Sequence, residues 1–97
     1  MIRKVFISGR ISGIKYENAK RAFAEREKKL SRVYDEVVNP IKLCKKDWSW
    51  LRCMVVCLWN LIQCDTVYFM RNHTKSKGCK VEKFVAHLFN KCVYIEK

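Results

Sequence analysis

Ninety-seven residues, 49% apolar and including three Trp, four Tyr and five Phe, suffice for one packed domain over 1–97 and exclude an intrinsically disordered composition. The longest apolar run, residues 53–62, is interrupted by Asn60 and falls far short of the roughly 20 residues a bilayer-spanning helix needs. A net charge of +12, from 21 Lys and Arg against nine acids, permits attraction to nucleotides or nucleic acid, but the basic residues are spread along the chain and select no partner.

Residues 4–8, Lys-Val-Phe-Ile-Ser, are a short β-branched and aromatic run that predicts a strand. Met1-Ile2-Arg3 leads straight into it with no secretory pattern, so a cytoplasmic location is expected. The strand opens into Gly9-Arg10-Ile11-Ser12-Gly13, and beyond that loop residues 16–30 carry Ala19, Ala22, Phe23 and Leu30 at helical spacing. A loop between strand and helix can turn backbone N–H groups and a cation toward an anion. The G-x-x-x-G spacing is not the G-x-G-x-x-G of dinucleotide binding, and a tight turn without a ligand accounts for it equally well.

Residues 36–38 predict a short second strand stopped by Asn39-Pro40. A basic loop over 42–46 leads to Asp47, the expected N-cap of a second helix. Leu51, Met54, Val55, Leu58, Leu61 and Ile62 recur along it at helical spacing and are expected in the core. Residues 66–70 are apolar throughout, as a central parallel strand is. A polar stretch over 71–77 follows, then a third helix over about 78–90 with Val81, Phe84, Val85 and Leu88 expected inward, and a last strand over 92–95.

This β-α-β-α-β-α-β alternation predicts a small doubly wound α/β fold, flavodoxin- or Rossmann-like: a three-layer sandwich around a four-stranded parallel sheet in the order 2-1-3-4. The first and third strands are then neighbours whose loops diverge to opposite faces, and ligands bind in the crevice so formed. The loops concerned are 9–13 and 71–77. Glu82 falls in the first turn or two of the helix after the second of them, with Ser76 one turn earlier, placed to cap that helix or donate to a ligand. A carboxylate at a crevice mouth serves as nucleophile or general base; a surface glutamate matching the helix dipole is the plain alternative.

The six cysteines, Cys44, Cys53, Cys57, Cys64, Cys79 and Cys92, contain no C-x-x-C and pair with neither His73 nor His87 at zinc-finger spacing. Cys53 and Cys57, four residues apart on a helix, are the pair whose spacing suits a shared soft metal. Reduced, mostly buried thiols are nevertheless expected, with no metal site and no cofactor.

The chain resembles the short, uncharacterised bacterial and phage members, of the DUF4406 type, of the nucleoside 2-deoxyribosyltransferase-like superfamily. Their pattern opens with Y-I-S-G-x-I-S/T-G, passes through V-V-N-P and a helix of the form M-x-x-D-L-x-x-L-x-x-C-D, and ends with S-x-G-A-x-x-E. Its counterparts here are Phe6-Ile7-Ser8-Gly9-Arg10-Ile11-Ser12-Gly13, then Val37-Val38-Asn39-Pro40, then the segment 54–65, then 76–82. The resemblance implies N-glycosidic bond chemistry on a nucleoside or nucleotide, with Glu82 as the nucleophile that forms a covalent glycosyl-enzyme. It also implies that Ser8, Gly9, Arg10, Ser12, Gly13, Ser76 and Gly78 bind substrate or its 5′-phosphate. Lys75, Lys77 and Lys80 would favour a phosphorylated substrate. Cys57 stands where the family has an aspartate that assists the leaving base, and Arg71-Asn72-His73 replaces a P-G-W-type loop, so His73 becomes a stand-in proton donor. Relatives commonly assemble so that a neighbouring subunit completes the pocket, which implies a homodimer or higher.

Two other readings stand beside the enzyme. One is a nucleotide-binding protein of the same fold that has lost turnover, supported by Cys57. The other is a basic nucleic-acid-binding or host-interaction protein, supported by the charge and by Trp48, Trp50 and Trp59, although no nucleic-acid motif accompanies them and core or interface packing is the plainer use of these tryptophans.

Overall fold

A computed structural model describes residues 3–11, 13–71, 74 and 76–96. Strands β1 (Lys4–Ser8), β2 (Glu36–Val38), β3 (Thr66–Phe69) and β4 (Cys92–Ile95) form one all-parallel sheet in the order β2-β1-β3-β4, the order expected. Val5 to Ser8 lie opposite Thr66 to Phe69, so the first and third strands end side by side. Period-two alternation then sorts the side chains into two cores. Val5, Ile7, Tyr68 and Met70 pack with Phe23 and Leu30 of α1 (Tyr16–Leu30) on one face. Phe6, Val67 and Phe69 pack on the other face with Cys57 and Leu61 of α3 (Trp50–Leu61) and Ala86 of α4 (Lys77–Leu88). Right-handed crossovers dictate this division, because the chain moves one way across the sheet through α1 and the other way through α3 and α4. Among the described residues no helix is long and apolar enough to cross a membrane.

Four expectations are corrected. Asn39-Pro40 ends β2 but also starts a helical turn, α2 (Pro40–Leu43), because proline is preorganised for the first helical position and the Asn39 side chain accepts from the Ile41 N–H at 3.0 Å. The N-cap of α3 is Ser49, whose hydroxyl accepts from the Arg52 N–H at 3.2 Å; Asp47 lies in the preceding turn. The inward residues of α3 are Met54, Cys57 and Leu61, while Leu51, Val55 and Trp59 are 60–67% exposed. The inward residues of α4 are Cys79, Glu82 and Ala86, while Phe84 and Leu88 are about two-thirds exposed and Val81 is 38% exposed. On α4 the inward side chains are small or polar, and the bulky apolar ones are left outside.

The cysteines depart from expectation as well. Cys44 and Cys53 form a disulfide, since the turn between α2 and α3 brings their Cα atoms to 5.5 Å. Cys57, Cys64 and Cys79 are free and buried, and Cys92 is free and exposed. The chain end is fastened to the sheet through Glu96, which accepts from Tyr68 Oη at 2.7 Å, from Arg26 Nε at 3.1 Å and from Arg26 Nη2 at 3.0 Å.

Candidate active site

The pocket lies at the carboxyl ends of β1 and β3, where a doubly wound sheet reverses its winding. Its walls come from Gly9 and Ile11 after β1, Tyr16 of α1, Pro40 and Ile41 of α2, and Ser76, Gly78, Cys79 and Glu82 at the start of α4. The opposite wall is Cys44, Lys45, Lys46, Trp48 and Ser49 with Trp50, Cys53, Met54 and Cys57 of α3. About 230 Å³ of it is open, a little below the range of roughly 300–1,000 Å³ typical of small-molecule sites.

Alternation along β1 turns Ser8 toward the α3 and α4 side, and the 3.6-residue period of α4 turns Glu82 down onto it. The Ser8 hydroxyl donates to Glu82 Oε1 at 2.7 Å, with both residues buried. Burial pushes the Glu82 carboxyl up to about 7, and the hydrogen bond from Ser8 opposes it. A carboxyl so poised exists in both protonation states near neutrality, as a general acid, a general base or a nucleophile requires. Of the first loop, Gly9 and Ile11 line the same pocket as Glu82.

The other expected residues divide. Ser76 caps α4, its hydroxyl oxygen accepting from the Cys79 N–H at 3.3 Å, and its side chain also hydrogen-bonds the Cys79 thiol at the pocket lining. Gly78 sits where an added Cβ would lie 3.1 Å from Met54 Sδ, a contact that would press on the Met54 side chain. At Gly9 a Cβ would meet the Phe23 ring at 3.0 Å and Met70 Cβ at 3.2 Å. Gly13 is exposed at φ +85°, a conformation glycine adopts readily, and Arg10 folds its guanidinium against it; neither residue lines the pocket. Ser12, His73 and Lys75 lie outside the described residues. Lys77 and Lys80 are exposed away from the pocket lining.

Cys57 lines the pocket, and burial together with the nearby Glu82 charge pushes its thiol up to about 12. It is a neutral S–H near neutral pH and supplies no charge to a leaving group. Asp65 accepts from the Lys4 N–H at 3.0 Å, at the opposite end of the strands, where it ties β1 to β3.

Sequence reasoning missed Tyr16, Trp48 and the two pocket lysines, Lys45 and Lys46. Lys46 Nζ stands 5.0 Å from the Tyr16 ring centroid, and the Arg52 guanidinium lies 4.2 Å from the Trp48 ring centroid. The signal for the lysines is the basic loop over 42–46 that follows Asn39-Pro40.

Fold and pocket together define a doubly wound α/β protein with a buried carboxyl at the switch point of its sheet. The family model described as "Domain of unknown function (DUF4406)" matches residues 3–95, and the chain belongs to that family. A comparison with curated proteins finds no match.

Proposed function

We propose that this protein acts on the N-glycosidic bond of a nucleoside or nucleotide, as a deoxyribosyltransferase or a 5′-monophosphate N-glycosidase, with Glu82 as nucleophile. The observation that carries the reading is the Ser8–Glu82 pair, a carboxyl held by a strand-end hydroxyl inside a pocket at the sheet's switch point. In this reading an ionised Glu82 oxygen attacks the anomeric carbon while the base departs with the bonding electron pair and takes up a proton from solvent. The glycosyl ester is then opened at the same carbon by water or by a second base, which regenerates the carboxylate and retains configuration. Tyr16 and Trp48 offer planar faces to a base, and Lys45 and Lys46 offer charge to a phosphate. Ser76, which lines the pocket, takes the anion-holding role that the family resemblance implies.

Cys57 favours a second reading, a nucleotide-binding protein of this fold without turnover, because a neutral thiol does not assist a departing base. Incubation with 2′-deoxynucleoside 5′-monophosphates, followed by chromatography for free base, separates the two. Base release that falls roughly 10³-fold or more in Glu82→Gln is expected of the enzyme. Saturable binding without release supports the second reading. Neither release nor binding would remove both.

A second copy of the chain is the proposed partner. Leu51, Val55 and Trp59 of α3 and Phe84 and Leu88 of α4 face outward on the same side of the sheet, beside Trp50 at the pocket. With Val81 they leave an exposed apolar face on α3 and α4, a composition that marks an interaction surface where such residues adjoin. A copy seated there would also enlarge a pocket that is small for a nucleotide.

A further inference from the structure

Three sulfurs meet in the wall of the pocket that Glu82 also lines. Cys57 Sγ lies 3.7 Å from Cys44 Sγ and 3.9 Å from Cys53 Sγ, and all three fall within 4.8 Å of one another. The disulfide uses two of them and leaves the third in contact with both. We propose that reduction of the Cys44–Cys53 bond creates a three-thiolate site for a thiophilic divalent ion such as Zn2+, held by Cys44, Cys53 and Cys57 with a fourth position open to the pocket.

Geometry supports this at three levels. Cys53 and Cys57 are four residues apart on α3, the spacing that puts two ligands on one helix face, and Cys44 approaches from the end of α2. Zn–S bonds of about 2.3 Å in a tetrahedron place sulfurs roughly 3.8 Å apart, and both distances to Cys57 already have that length. The third edge opens once the covalent bond is gone, because two unbonded sulfurs separate to a similar spacing. All three residues line the pocket, so the remaining coordination position faces a space that admits water or a ligand, the arrangement of three protein ligands and one exchangeable one.

The chemistry balances. A dithiol gives two electrons and two protons to the Cys44–Cys53 bond and becomes its own cyclic disulfide. The ion then displaces one proton from each of three thiols and accepts a lone pair from each sulfur. The resulting complex carries one negative charge, beside Lys45 and Lys46. Oxidation of the pair and binding of the ion exclude each other.

Zn2+ is titrated into the full chain after reduction with a dithiol and its removal by anaerobic gel filtration, with Cd2+ as a probe whose thiolate complexes absorb in the ultraviolet. One ion per chain, a Cd2+–sulfur charge-transfer band and no uptake by the disulfide form are expected. Cys57→Ser, which nearly preserves size, weakens binding roughly 100-fold or more, whereas Cys92→Ser leaves it unchanged. No uptake by the reduced chain, or undiminished affinity in Cys57→Ser, overturns the proposal. Should Cys57→Ser fail to fold, alkylation of the reduced wild-type chain decides: bound Zn2+ shields Cys44 and Cys53 while Cys92 still reacts, and equal labelling with and without the ion refutes the site.

Discussion

At Glu82 two influences of opposite sign meet, burial raising the carboxyl and the Ser8 hydroxyl, 2.7 Å away, lowering it to a net position of about 7. In the unfolded chain a glutamate titrates near 4.3. The preference for the protonated folded state is therefore fully present below about pH 4.3 and is lost as the pH rises through about 7. Glu82→Gln keeps the shape and removes the charge. It is expected to raise stability at pH 8 by about 1–3 kcal/mol, with the gain vanishing below pH 4, as read from urea unfolding of the disulfide-bonded protein at both pH values. A variant less stable than wild type at pH 8 would show that the buried carboxylate is not a cost. The same site makes a kinetic prediction under the proposed function. The rate of base release should climb with pH through about 7 as the nucleophile ionises, and Ser8→Ala, lacking the bond that favours the anion, should move that limb to higher pH. An unmoved limb in Ser8→Ala would detach the rate from Glu82. The sequence indicated that the first loop and Glu82 share the switch-point crevice, but not that Ser8 bonds Glu82, which depends on how α4 sits on the sheet. The half-ionised state was not legible either, since burial is a property of the assembled layers.

At the scale of elements, the strands read clearly and the helices only in part. Each strand is a short run of β-branched or aromatic residues between polar breaks, and the alternation of elements pointed to the doubly wound order 2-1-3-4, which the structure has. Helix α3 misled because it is apolar on more than one side. Leu51, Val55 and Trp59 form one stripe and Met54, Cys57 and Leu61 another, and periodicity cannot tell which faces the sheet. On α4 the inward stripe of Cys79, Glu82 and Ala86 is smaller and more polar than the outward one, so a rule that sends bulk inward chooses the wrong side. The short α2 was hidden by the proline that starts it. Its anchor is Asn39, buried at 5% exposure, which accepts from Ile41 N–H and donates from Nδ2 to Glu27 Oε1 at 2.9 Å, while Lys42 Nζ donates to Glu27 Oε2 at 2.8 Å. Because Pro40 and Ile41 line the pocket, this cap links α1 to the site. Asn39→Ala is expected to cost about 1–3 kcal/mol in urea unfolding by losing the cap on the Ile41 N–H and the bond to the half-buried Glu27 carboxylate. Asn39→Asp keeps the cap acceptor but sets a second carboxylate against Glu27, so it too should destabilise. Full stability in both variants would mean that α2 is held by its apolar contacts alone.

For the whole molecule, charge and apolar surface pull in opposite directions. Each chain carries +12, so two copies repel, yet α3 holds one charged residue, Arg52, among twelve, and shares its side of the sheet with the outward stripe of α4. Burying that face removes apolar area from water and is insensitive to salt, whereas the repulsion is screened as ionic strength rises. The proposed dimer should therefore tighten with added salt, the reverse of what binding to a polyanion would do. Trp59→Glu and Phe84→Glu introduce a charge at positions that are 65% and 68% exposed, so the fold should tolerate them and the assembly should not. Light scattering after size-exclusion chromatography is expected to give a dimer for the wild-type chain at high salt and a monomer for either variant. A wild-type chain that stays monomeric at high salt and high concentration would leave the face without a second copy as its occupant. Dimeric variants would move the interface elsewhere. Trp59 is not part of the pocket lining, so a joint fall of dimerisation and nucleotide affinity in the uncharged Trp59→Ser would show that the neighbouring subunit contributes to the site.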